Sequence, residues 1–242
     1  MPIRNPHALA FPILVASLLA ACASPMNKHP VPEREDRSYA NQLAKNDLDR
    51  MADVEIAENT QSLRTLMLKL YKRNPRELAK STSDNAEKMV DWVFDGAAQH
   101  HFQFTGIQNK QDTGALYLAF DANYTGDRVL PFIVGLHTML LKAHGGKTDF
   151  YLTDSIDPQS LYNVARNVEI AAWKLSTARD AAGNLYLLSN EINSAERNLS
   201  FEREFGKIIG RTDLYAITLA EKSQRLISRV VQSIATMAFL PF

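Results

Sequence analysis

Apolar residues recur at helical spacing along most of this chain, and strand-like alternation is rare. Leu48, Ala52, Ile56, Leu63, Leu66 and Leu70 fall three, four or seven apart, which predicts a long helix over 36–73 with one buried stripe. Asn59 interrupts that stripe and is expected at a partly exposed position. Over 87–98, Met89, Trp92, Val93 and Ala97 form the inward face of a shorter helix. Further helices are expected over 158–179 and from Thr212 or Asp213 to Ala238. The inward face of the last is Ala220, Ile227, Val230, Ile234 and Met237. The most hydrophobic run, 129–141, falls short of the ~20 residues that span a bilayer and reads as a core helix. Pro131 fits its first turn and Gly135 permits close packing. Residues 115–124 predict a helix docked against it, joined through Thr125-Gly126-Asp127, while 183–192 fits either a short strand or a helix continuation.

Punctuation supports these elements. Asn74-Pro75-Arg76-Glu77 places a cap residue, a first-turn proline and a glutamate in a capping-box pattern, and Asp84-Asn85-Ala86-Glu87 repeats it. Asp157-Pro158 opens another helix, and Gly145-Gly146 closes the core helix. The expected fold is all-α: a single helical-bundle-like domain of roughly seven helices. The stretch ending Leu70-Tyr71-Lys72-Arg73-Asn74-Pro75 resembles the end of a tetratricopeptide repeat over one half-repeat. The chain has no period of about 34 residues, so a helix followed by a capped helix accounts for it.

The first residues change the picture. Arg4 precedes an apolar run from Ala8 to Leu19, followed by Leu19-Ala20-Ala21-Cys22, and Cys22 is the only cysteine in the chain. The run has the length of a secretory signal and is too short to span a membrane. The string resembles the lipobox of bacterial lipoproteins. The resemblance implies cleavage by lipoprotein signal peptidase before Cys22, a diacylglycerol on its sulfur and an N-acyl chain. It divides the chain into a removed signal peptide (1–21), a lipidated Cys22 with a flexible tether (22–37) and an α-helical periplasmic domain (38–242). Pro25, Pro30 and Pro32 stiffen the tether. No aspartate follows Cys22, which by the enteric sorting rule implies the outer membrane, facing the periplasm.

Charge narrows the partners. The whole chain balances 27 basic against 27 acidic residues, and the segment before Cys22 contains only Arg4. The remainder is near neutral, without the basic face that nucleic acid would need.

Candidate chemistry centres on histidines. His100 and His101 follow a helix that presents Asp91 and Asp95 on one face, so Asp95 and either His100 or His101, with a histidine from the core hairpin, form a conceivable zinc set, although adjacent histidines point in different directions and rarely bind one metal together. No His-Glu-x-x-His spacing is present, and His137 sits among Ile133, Val134, Leu140 and Leu141, as a core histidine with a satisfied ring nitrogen would. Gly145-Gly146-Lys147-Thr148 lacks the first glycine of a phosphate loop, since Leu141 holds that position. Trp92, Trp173, Phe102, Phe104, Tyr117, Phe120 and Tyr124 could line a pocket but read more simply as core. The run Gln99-His100-His101-Phe102-Gln103-Phe104 mixes rings and hydrogen-bonding groups in a loop, and Gln99, His100, His101, Phe102 and Phe104 are the expected contact surface.

The leading expectation is a lipid-anchored, non-enzymatic helical envelope protein that binds or assembles with a protein partner. It needs no cofactor beyond the acyl chains on Cys22. One alternative is a small-molecule or lipid-binding module with a pocket between 115–124 and 129–141. Another is a metal-binding protein or metal-dependent hydrolase built on His100, His101 and His137.

Overall fold

The computed structural model describes residues 46–151, 155–192, 197–223, 227 and 238–242, and Asn46 opens the first helix among them. The lipobox, Cys22 and the tether lie outside the described residues. Helix α1 is Asp47–Arg73. It starts at Asp47 rather than near residue 36 because Asn46 is extended and caps it: its side chain accepts from the Asp49 N–H at 2.9 Å, and Asp49 accepts from the Asn46 N–H at 2.9 Å. Next come α2, Pro75–Ser81, α3, Ala86–Asp95, and α4, Ala97–His100. After them come α5, Asp112–Ala119, α6, Val129–Ala143, α7, Pro158–Thr177, and α8, Ser200–Ser223. The fold is all-α. Its sheet structure among the described residues is one antiparallel pair, Glu191–Ile192 with Arg197–Asn198, and one bridge between Arg179 and Leu185. Residues 183–190 are therefore a turn with a bridge at Leu185, and 191–192 form a short strand, so of the two readings the short strand holds in part and the helix does not.

The core forms where α1 meets α6 and α8, and where α8 lies along α7. Leu63, Leu66, Met67 and Leu70 of α1 meet Phe132, Ile133, Leu136 and Met139 of α6, with Leu161, Val164 and Val168 of α7 and Phe201, Phe205 and Ile208 of α8 in the same cluster. Helix α6 is buried almost throughout, as its composition predicts. Asp127 caps its entry, accepting from the Val129 N–H at 2.8 Å, the Tyr71 hydroxyl at 2.6 Å and the Ser81 hydroxyl at 2.7 Å. No helix among the described residues is long and apolar enough to cross a membrane.

Three readings of the pattern are corrected. Helix α8 begins at Ser200, not at Thr212 or Asp213. Asn198 accepts from the Ser200 N–H at 3.1 Å and from its hydroxyl, and Phe201, Phe205 and Ile208 anchor the first turns. Thr212 lies mid-helix and fully buried. Trp92 is 52% exposed, and α3 turns Val90 and Phe94 inward instead. Asn59 is fully buried at the α1–α8 seam. Its amide donates to Glu55 and to Thr212 Oγ1 at 3.1 Å, and Thr212 donates to Glu55 at 2.6 Å. Glu55 Oε2 in turn lies 2.6 Å from His144 Nε2. The ring of His144 stacks on Tyr215, with centroids 5.8 Å apart.

Candidate functional site

Between α3 and α5 lies the polar–aromatic run 99–104, of which Gln99 and His100 end the short helix α4 and 101–104 are irregular. A Cβ on Gly96 would come within 2.5 Å of the Trp92 carbonyl oxygen and 3.2 Å of His100 Nε2. Bare backbone at Gly96 lets His100 fold back on α3. Its Nε2–H donates to the Trp92 carbonyl at 3.3 Å, and its Nδ1 accepts from the Phe102 N–H at 3.0 Å. Those partners suit the Nε2–H tautomer, since a carbonyl only accepts and an amide only donates.

The backbone that follows is costly. His101, Phe102, Gln108, Asn109 and Asp112 all have positive φ, between 50 and 58°. Each non-glycine residue there costs roughly 1–2 kcal/mol. Buried anchors hold the segment: Phe102, Phe104 and Ile107 enter the core cluster. The Phe102 ring lies 4.5 Å from that of His137, and Phe94 meets His137 edge-on at 5.3 Å. Polar ties add to this. Gln111 donates to the His101 carbonyl at 2.8 Å, the Asp112 N–H donates to Thr138 Oγ1 at 2.7 Å, and Lys142 pairs with Asp112 at 3.0 Å.

The five expected contact residues therefore divide. Phe102 and Phe104 point into the core, His100 is half-buried, and Gln99 and His101 are exposed, joined by exposed Gln103. Trp92 stands beside them, tilted against Phe104 at 5.0 Å and His100 at 5.5 Å. His101 overlooks a cleft of about 600 Å³ whose walls include Gln111, Asp112, Thr138 and Lys142. Sequence reasoning missed these four. They come from separate stretches, and no local pattern marks them as neighbours.

Among the described residues, no group of three or more His, Cys, Asp or Glu side chains is placed to hold a metal ion. Asp95 and Asp91 clasp Arg64, at 2.5 and 2.6 Å, and both ring nitrogens of His100 are engaged. His137 is buried, with Nε2 3.1 Å from Thr60 Oγ1 and Nδ1 without a partner among the described residues. Burial pushes its pKa down to about 3, so it is neutral. Helices α5 and α6 are in tight contact at the place where an inter-helix ligand pocket was expected. A Cβ on Gly135 would lie 2.8 Å from both the Asp112 carbonyl oxygen and the Leu116 side chain.

A second cleft, of about 830 Å³, lies between the end of α1 and the 179–188 turn, with Arg73, Arg76 and Arg179 on its walls. Two of these guanidiniums serve the fold: Arg73 pairs with Glu191, and Arg179 donates to the Gly183 carbonyl at 2.8 Å. The 97–112 surface instead exposes Gln99, His101, Gln103 and Lys110, with the Trp92 ring beside it. Thr138, the hydroxyl on its cleft, already donates to the Val134 carbonyl at 2.7 Å. No family model, curated protein or solved structure matches this chain.

Proposed function

We propose that this chain is a lipid-anchored helical module of the bacterial cell envelope, tethered through Cys22 to the outer membrane and facing the periplasm, and that it binds a protein partner through the 97–112 surface. The lipobox-like string Leu19-Ala20-Ala21-Cys22 supports the anchor, and the proline-bearing stretch after it supports a stand-off tether. One observation supports the choice of surface. Five left-handed, non-glycine residues are concentrated between His101 and Asp112 and held by buried rings, while Gln99, His101 and Gln103 remain exposed. Strain of this kind collects at binding and active sites because the surrounding fold can hold a shape the chain would not adopt alone.

The test places a photocrosslinking residue at Gln99, His101 or Gln103 in cells, with Lys207 on the exposed side of α8 as the reference position. A second chain carries Cys22→Ala and a non-lipoprotein signal. The expected result is one envelope protein captured from the 97–112 positions, absent from Lys207 and lost when the anchor is removed. Equal capture from both faces, or capture indifferent to Cys22, refutes the reading.

A further inference from the structure

Residues 238–242, Ala-Phe-Leu-Pro-Phe, form a strip against α5, α6 and α7. The bonds that seat it address its main chain. Asn167 takes both polar groups of Leu240: the Leu240 N–H donates to Oδ1 at 2.6 Å, and Nδ2 donates to the Leu240 carbonyl at 2.9 Å. Asn163, one helical turn earlier on the same face of α7, donates to the Pro241 carbonyl at 2.8 Å. The Phe239 N–H donates to the Tyr117 hydroxyl at 3.2 Å. The rings supply side-chain selectivity. Phe239 meets Tyr117 edge-on at 5.0 Å with the Lys174 ammonium 5.9 Å from its centroid, and the Lys142 ammonium lies 5.0 Å from Phe242.

Two features fit this face to an extended chain. Asn167 is fully buried, and among the described residues its side-chain hydrogen bonds both go to Leu240. With the strip lifted, that amide would lose both. The pattern of the strip also matches its seat, because Pro241, which has no N–H, contributes only its carbonyl, to Asn163.

We propose that the α5–α6–α7 face is a peptide-binding groove for segments of the pattern aromatic–aliphatic–proline–aromatic, and that residues 238–242 are its resident, displaceable occupant. Main-chain bonds to an asparagine serve any chain with an N–H at the aliphatic position. Binding in cis gives the resident an effective concentration in the ~mM range, so a foreign peptide must outcompete it. The groove adjoins the 97–112 surface at Lys142, which faces Phe242 and pairs with Asp112.

The test uses the full chain in detergent and a fluorescein-labelled Ala-Phe-Leu-Pro-Phe peptide, read by anisotropy. Leu240→Pro in the chain removes the N–H that Asn167 accepts and leaves the groove residues intact. That variant is expected to bind the peptide at least ~10-fold more tightly than the parent. Adding Asn167→Ala should abolish the gain, and a peptide carrying Leu240→Pro should not bind. A Leu240→Pro chain that melts like the parent and binds no better overturns the proposal. Hydrogen exchange on the parent gives a reading that needs no variant. The Leu240 amide should exchange at least ~10-fold more slowly than in the free peptide, and an unprotected amide overturns the proposal. Light scattering should show a monomer. A dimer dissociated by Leu240→Pro would place a second copy's strip in the groove and overturn it too.

Discussion

The Asn59 amide serves both Glu55 and Thr212, so cutting it off leaves two buried oxygens short of a donor. Asn59→Ala should lower unfolding free energy by about 1–3 kcal/mol, measured by urea denaturation, with no change in the slope. A loss within error would mean that water replaces the amide. The two buried histidines act on opposite sides of neutrality. Burial depresses the pKa of His144, but Glu55 and the Leu140 carbonyl outweigh it, and the net shift is upward from 6.5. Its contribution is therefore complete below pH 6.5 and is lost as pH rises through the raised value. His137 is shifted from 6.5 down to about 3, so the unfolded chain binds a proton there first and stability is lost as pH drops from 6.5 toward 3. The slope for each is at most ~1.4 kcal/mol per pH unit. In thermal melts against pH, His137→Leu should flatten the acid limb and Glu55→Gln the alkaline limb. Variants that only shift the whole curve would contradict both assignments.

Helix α8 shows where periodicity misleads. Gly206 and Gly210 fall in its first half, and glycine usually marks a boundary, so the pattern suggests a start near Thr212. Both glycines lie on the exposed side, and a Cβ on either meets nothing within 4 Å. The buried face of Phe201, Phe205 and Ile208 keeps the helix intact through them. Gly206→Ala and Gly210→Ala should each stabilise the protein by about 0.5–1 kcal/mol, seen as a raised denaturation midpoint. Destabilisation would show that this part of α8 is not helical in solution. By contrast, the starts of α2, α3 and α7 were legible, because Pro75, Asn85 and Asp157-Pro158 announce themselves locally, although the capping box expected at Asn74 does not form: its side chain bonds Leu70 and Leu188 instead. The left-handed residues of 101–112 were not. None is glycine, and burial of Phe102, Phe104 and Ile107 imposes their backbone from a distance.

At the scale of the molecule, the α5–α6 contact sets how closely the 97–112 surface sits against the core. Gly135→Ala would press a methyl into the Asp112 carbonyl, which is backbone and cannot swing away. We expect a loss of about 1–3 kcal/mol by denaturation, with the Asp112 N–H bond to Thr138 disturbed and its exchange accelerated. An unchanged midpoint would mean that the two helices separate at little cost. The sequence alone determined the all-α class, the core role of α6 and the starts of α2, α3, α6 and α7, because period and caps are local properties. It read the polar–aromatic run 99–104 as a loop, whereas Gln99 and His100 close α4 and only 101–104 lie outside a helix. Tertiary structure decided which of those residues face outward, since Phe102 and Phe104 turn in to meet other rings while Gln99 and His101 stay in water. It also joined Asn59 to Thr212, residues separated by 153 positions, and set Leu240 on Asn167 across 73. Such pairings arise only when helices pack, because a buried polar group takes whichever partner the neighbouring helix brings within reach.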